Sequence, residues 1–140
     1  MQLHWSVNFD KCIDSTPSLV HAGQYIIVGS HSHQLKTLDA TNGLVISNLI
    51  LPDRIECQAA IVNNMPNMAL IGCYDGYLYA FDYMKGAIAW RFQVGGMIKA
   101  KPLVLDTQQS VIVGSYCKQN NLKCICLQVI VQRLFKNYLN

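Results

Sequence analysis

Charge is scarce in this chain. Only 14% of its 140 residues are Asp, Glu, Lys or Arg, against 51% hydrophobic, a balance that excludes intrinsic disorder and supplies enough apolar surface for a buried core. The 11 basic and 8 acidic residues are scattered, which excludes the concentrated basic stripe of a nucleic-acid-binding face. Long hydrophobic runs are missing too: CICLQVIV at 124–131 is the longest and falls well short of the roughly 20 residues of a membrane-crossing helix. The opening MQLHWSVNFDKCID has neither the basic first segment nor the apolar stretch of a secretory signal. None of the six cysteines (12, 57, 73, 117, 124, 126) is adjacent to another, and a chain with a core does not need a disulfide scaffold. Reduced thiols in a cytoplasmic protein are expected, with no nucleic-acid or membrane partner. Cys57 and Cys73 fall within strand patterns as small hydrophobes, and Cys117, Cys124 and Cys126 match no common zinc spacing.

What the chain does have is self-similarity. Gly29, Gly72 and Gly114 are 43 and 42 residues apart, Asp39 and Asp82 are 43 apart, and so are Gly43 and Gly86. Trp5 and Trp90 are 85 apart, as are Pro17 and Pro102, which is two periods. Each period opens on a mixed small and apolar segment and continues, after a polar break, with a compact β-branched run such as YIIVGS or ALIGCY. A tight turn, an alternating segment (QLKTLD, YLYAFD), a second turn and a last apolar segment complete it. Four short strands in about 42 residues is the signature of a β-propeller blade.

The expected fold is therefore all-β: an incomplete β-propeller, an arc of about three four-stranded blades with the last one degenerate. A strand over 1–9 leads into a blade at 10–51, a blade at 52–94 and a partial blade at 95–116, followed by a divergent segment at 117–140 in which LKCICLQV can form a third-position strand before a tail. Both faces of the alternating segments are apolar, so each sheet must be sandwiched between neighbours. Asn42-Gly43 and Asp75-Gly76 supply the positive φ of tight hairpins, and Asp39 and Asp82 end third strands where aspartate bonds to nearby backbone. Trp5 and Trp90 read as packing residues on outer strands. Ser47 stands where the second repeat has Trp90, so one tryptophan contact between blades should be missing. A closed ring of seven or eight blades needs on the order of 300 residues, so the chain is expected to be a fragment, its end blades covered by the remaining propeller blades or by another protein.

GSHSHQ places His31 and His33 in the turn between the second and third strands. Asp14, Glu56 and Lys99, each near the start of a first strand, should lie at the same end. These five are weak ligand candidates. No third or fourth ligand at metal-site spacing accompanies the histidines, so the turn reading, with both bonding locally to backbone, is preferred. No catalytic, cofactor-binding or metal residue is expected.

LIGCYDGYLYAFDYMKGAIAWRF resembles a pyrroloquinoline-quinone-like repeat, and KCIDSTPSLV, GSHSHQLKTLD and DRIECQAAIV resemble the C-terminal propeller of the β-alanine-activating, aminoadipate-semialdehyde-dehydrogenase-like branch of the acyl-CoA synthetase family. The resemblance covers roughly residues 3 to 116 and implies a parent with an adenylate-forming domain and a carrier domain handling β-alanine or a related acid. It implies for this chain a non-catalytic binding or scaffolding segment without a cofactor, since the motifs of adenylation are absent. The alternative is a propeller fragment of a quinoprotein dehydrogenase with a redox role, which the missing adjacent cysteine pair disfavours.

Overall fold

The computed structural model describes residues 2–108, 110–119 and 122–131, with backbone alone at 108, 117–119 and 122–131. Its strands are β1 (Ser18–Val20), β2 (Tyr25–Gly29), β3 (Gln34–Asp39), β4 (Val45–Ile50), β5 (Ala60–Ile61), β6 (Met68–Gly72), β7 (Tyr77–Asp82), β8 (Ala87–Gln93), β9 (Leu103–Leu105), β10 (Ser110–Gln119) and β11 (Leu122–Val131). They form three antiparallel meanders in chain order, β1-β2-β3-β4, β5-β6-β7-β8 and β9-β10-β11. Helical structure among the described residues is confined to the single turns His21–Gly23 and Asp106–Gln108.

Alternation explains how the sheets stack. Side chains along a strand point to opposite faces in turn, yet Leu35, Lys36, Thr37 and Leu38 of β3 are all buried, as are Leu78, Tyr79, Ala80 and Phe81 of β7. Both faces of these strands are therefore covered. The repetition extends to register. Tyr25 pairs with Asp39 and Gly29 with Leu35, and 43 residues on Met68 pairs with Asp82 and Gly72 with Leu78. A bulge between Thr37 and Leu38 recurs between Ala80 and Phe81.

Gly29 and Gly72 end β2 and β6 where the next blade's lead-in passes over them. A Cβ on Gly29 would lie 2.8 Å from Ile55 Cβ, and one on Gly72 would lie 2.6 Å from Ile98 Cβ, and both isoleucines are fully buried. The periodic glycine is thus a packing requirement. A staircase of hydrogen bonds joins the same lead-ins: Ser15 Oγ donates to the Cys57 carbonyl at 2.8 Å, and Cys57 Sγ donates to the Ala100 carbonyl at 3.1 Å. Burial pushes the Cys57 thiol up to about 12, so it remains a protonated donor. Cys57 and Cys73 are fully buried, although they sit in a lead-in and just after β6 rather than within strands.

One expectation is corrected. Residues 2–17 form no assigned strand, so Trp5 is held by contacts with blade 1 instead of by a ladder: its Nε1 donates to the Ala40 carbonyl at 3.1 Å and its indole covers Gly43, where a Cβ would lie 2.6 Å from Cε3. At Ser47, which lacks the tryptophan contact, the seam carries a serine hydrogen bond instead. Ser47 Oγ donates to the Tyr83 carbonyl at 2.6 Å, 43 residues on from Ala40, and Ser47 faces Gly86 as Trp5 faces Gly43. A hydroxyl replaces the indole N–H on the equivalent carbonyl.

The third sheet continues past residue 116, because β10 pairs with β11 from Ser110↔Val131 to Gln119↔Leu122. The side chains of Cys117, Cys124 and Cys126, and the tail 132–140, lie outside the described residues. On the other side of the arc, Trp5, Phe9, Ile13, Leu19, Ile26 and Leu38 border an apolar hollow of about 260 Å³, and Leu19 is 64% exposed.

Candidate functional site

The blade period builds a row of polar side chains along one end of the arc. Asp14, Glu56 and Lys99 hold one position in three successive lead-ins, while His31, Tyr74 and Tyr116 hold the matching position after Gly29, Gly72 and Gly114. Backbone bonds fix the pairing: His31 N–H donates to the Cys12 carbonyl at 2.9 Å, Tyr74 N–H to Arg54 at 3.2 Å and Tyr116 N–H to Met97 at 2.9 Å. Each acceptor lies two residues before the lead-in polar residue. Turn and lead-in residues consequently alternate in space in the order Asp14, His31, Glu56, Tyr74, Lys99, Tyr116.

His31 Nε2 lies 3.1 Å from Asp14 Oδ2 and 3.1 Å from Glu56 Oε1. Lys99 Nζ is 3.5 Å from the other Glu56 oxygen and sits 5.1 Å and 5.7 Å from the ring centres of Tyr74 and Tyr116. Arg54 stacks its guanidinium 4.1 Å from the Tyr74 ring centre and brings Nε within 3.8 Å of Glu56 Oε1. Burial alone would raise the Glu56 pKa, but the Tyr74 hydroxyl, Lys99 and His31 outweigh it and hold this carboxyl below its ordinary value. Burial, then the Glu56 carboxylate, pushes the Tyr74 hydroxyl up, and Lys99 is raised by Tyr74, with Glu56 adding to the effect. An open concavity of about 420 Å³ adjoins the row, bordered by Lys11, His31, His33, Asp53, Arg54 and Tyr74.

Four of the five sequence candidates, Asp14, His31, Glu56 and Lys99, are brought together. His33 lines the concavity but stands outside the row; its backbone has φ +67, and Gly76, 43 residues on, has φ +87. The expectation that the His31 ring bonds to local backbone is corrected, since it faces two carboxylates from other segments. No third or fourth ligand stands at metal-motif spacing along the chain, yet in space ligand atoms of Asp14, His31 and Glu56 lie within 4.8 Å of one another. Spacing along the chain here follows the blade period, so a search for metal-motif spacing could not see it. Tyr74, Arg54 and Tyr116 were not among the candidates, although counting one period on from His31 reaches Tyr74.

The structural residues act as backbone fixtures. Asp39 Oδ1 accepts the Thr41 N–H at 2.8 Å, Asp82 Oδ1 accepts Met84 and Lys85 N–H at 3.0 Å, and Asp75 Oδ1 accepts Tyr77 N–H at 3.0 Å. Those bonds, the Thr41 hydroxyl foremost, hold the Asp39 carboxyl below its ordinary value. Gly43, Gly76 and Gly86 have positive φ, and Trp90 lies on β8 opposite Ala80.

Quinoprotein ethanol dehydrogenase of Pseudomonas putida is 27% identical over 84 residues, 60% of this chain and 13% of that protein. The crystal structure of BamB from Moraxella catarrhalis superposes with a TM-score of 0.66 at 26% identity, over 80% of this chain and 33% of that one. The chain carries pyrroloquinoline-quinone-like propeller repeats. This propeller arc is also similar to the β-alanine-activating enzyme of Drosophila melanogaster, at 41% identity over 125 residues, 89% of this chain and 12% of the fly protein. The arc thus spans about an eighth of the length of either curated relative. No family model matches it. Among the described residues, no helix is long and apolar enough to cross a membrane.

Proposed function

We propose that this propeller arc is a non-catalytic binding or scaffolding segment of an acyl-activating, adenylate-forming protein that handles β-alanine or a related acid. The observation that carries the reading is the apolar side of blade 1, with Leu19 64% exposed beside Trp5 and Ile26, taken with the similarity to the fly enzyme over 89% of the chain. An apolar sheet face of this kind is built to be covered. Its cover is another blade of the same protein or the surface of a second protein, and chemistry on the acid is assigned to parts outside these repeats.

The test compares the chain alone with the chain fused to the segments that flank the matching stretch of the fly enzyme. Alone, it is expected to self-associate in light scattering and to bind an apolar fluorescent dye; in the fusion both signals should disappear. Pyrophosphate release from ATP and β-alanine should stay at background for the chain alone. A stable, dye-silent monomer would overturn the scaffolding role, and β-alanine-dependent pyrophosphate release would overturn the non-catalytic one.

A further inference from the structure

We propose that Asp14, His31 and Glu56 form a binding site for a divalent transition-metal ion, zinc above all, at the seam between the first two blades. The inference stands apart from the role proposed for the whole segment. It begins with geometry: the two 3.1 Å separations from His31 Nε2 to Asp14 Oδ2 and Glu56 Oε1 match the spacing of ligands around one ion. With metal–ligand bonds of about 2.1 Å, neighbouring ligand atoms stand roughly 3.0 Å apart in an octahedron and roughly 3.4 Å apart in a tetrahedron. The donor set agrees. One imidazole and two carboxylates suit zinc and its first-row neighbours, whereas calcium takes six to eight oxygens, and two carboxylates with a neutral imidazole balance a double positive charge.

Two further observations point to a missing ligand. A single ring N–H can serve one acceptor, yet two oxygens stand 3.1 Å from Nε2, and neither forms a hydrogen bond with this buried nitrogen. Tyr74 is 8% exposed, and its hydroxyl, which faces Glu56 and Lys99, is likewise buried without a well-directed partner. With an ion on Oε1, that hydroxyl becomes the outer partner that orients the Glu56 carboxylate, while Lys99 holds Oε2. The Asp14 side chain is 60% exposed, so the ion enters from solvent and water completes its shell. Bound there, it ties together the lead-in to blade 1, the β2–β3 turn and the lead-in to blade 2.

The rival arrangement is a protonated His31 paired with the two carboxylates and no affinity for metal. The whole 140-residue chain, freed of metal with a chelator, is titrated with Zn²⁺ by calorimetry and with Co²⁺ by visible absorption. One equivalent should bind and raise the melting temperature, and cobalt should show d–d bands without a thiolate-to-metal charge-transfer band, unchanged by Cys12→Ser. His31→Ala and Glu56→Gln should abolish binding, and Tyr74→Phe should weaken it on the order of tenfold. Circular dichroism without metal reports whether each variant keeps its fold, and Asp14→Asn, at an exposed position, removes a ligand without touching the core. No zinc uptake by the unmutated chain, binding that survives both Asp14→Asn and His31→Ala, or a thiolate band would each overturn the site.

Discussion

Blade 1 and blade 2 share a backbone and differ in what faces them. Their pairings, their bulges and their turn hydrogen bonds recur 43 residues apart, but blade 2 lies between two sheets, whereas the outer face of blade 1 is covered only in part, by the segment that carries Trp5, Val7 and Phe9. Side chains at equal positions follow the neighbour rather than the repeat. Tyr79, sandwiched in blade 2, has its hydroxyl on Asp75, where burial first and that carboxylate second push its pKa up. Lys36, one period earlier, is 9% exposed and lies under the lead segment, donating to the Asn8 carbonyl at 3.0 Å with its ammonium 4.4 Å from the Phe9 ring centre. His31 and Tyr74 show the same rule, each wedged between its own lead-in and the next. The period thus sets the path of the chain, and the inter-blade seams set its chemistry.

The largest effect that could break this comparison lies at the glycines. Gly72→Ala forces a Cβ to 2.6 Å from Ile98 Cβ, in a core with no room to give, and should cost about 3 kcal/mol in urea unfolding. Gly114→Ala, with nothing among the described residues within 4 Å of the added carbon, should be neutral or stabilise by up to about 1 kcal/mol. Ile98→Ala removes the Cγ2 that would lie nearest the added carbon but keeps the Cβ, so Gly72→Ala with Ile98→Ala should cost less than the sum of the two single changes while staying well below the unmutated chain in stability. Equal costs at the two glycines would mean that the 42- and 43-residue spacing marks something other than the next blade's isoleucine.

The fold was legible because glycine, aspartate and tryptophan recur at a fixed distance, and each recurrence has a local physical reason that a sequence exposes. The Asp39 and Asp82 turns and the positive φ at Gly43 and Gly76 were legible for the same reason. The row through Asp14, His31, Glu56, Tyr74 and Lys99 was only half legible. Its members hold two positions in the period, one in the lead-in and one after the periodic glycine, but the residue type at each changes from blade to blade, so no motif repeats. That one blade's turn inserts between two lead-ins is a property of how sheets stack, which no single period contains. The hydrogen bond at Ser47 was not legible because a serine bears no likeness to tryptophan, although each donates to the equivalent carbonyl, Tyr83 and Ala40.

That substitution supplies the next test. Ser47→Ala removes the donor to the Tyr83 carbonyl, held at 2.6 Å, and should cost about 1 kcal/mol in the same urea series, the usual net worth of one hydrogen bond. The matching change at Trp5 removes a ring as well as a donor and should cost more. If Ser47→Ala is silent, the hydroxyl does not take the indole's place and the seam between blades 1 and 2 is held by packing alone.

The smallest effect sharpens the comparison most, because the backbone is the same in both blades and only the residue differs. His33 and Gly76 both donate N–H at 3.3 Å to the residue three before, Ser30 and Cys73, with φ of +67 and +87. For an L-residue the left-handed region costs about 1–2 kcal/mol, less for histidine than for bulkier types. Glycine avoids that strain but gives up as much as about 1 kcal/mol through the greater freedom of the unfolded chain. His33→Gly should therefore stabilise by no more than about 0.5 kcal/mol, whereas Gly76→His should destabilise by at least about 1 kcal/mol, since its Cβ would also meet Gly96 N at 3.4 Å. A loss of more than about 1 kcal/mol in His33→Gly would show that the imidazole makes a contact in the concavity strong enough to offset the strain it carries, and would move His33 from a turn residue to a member of the site.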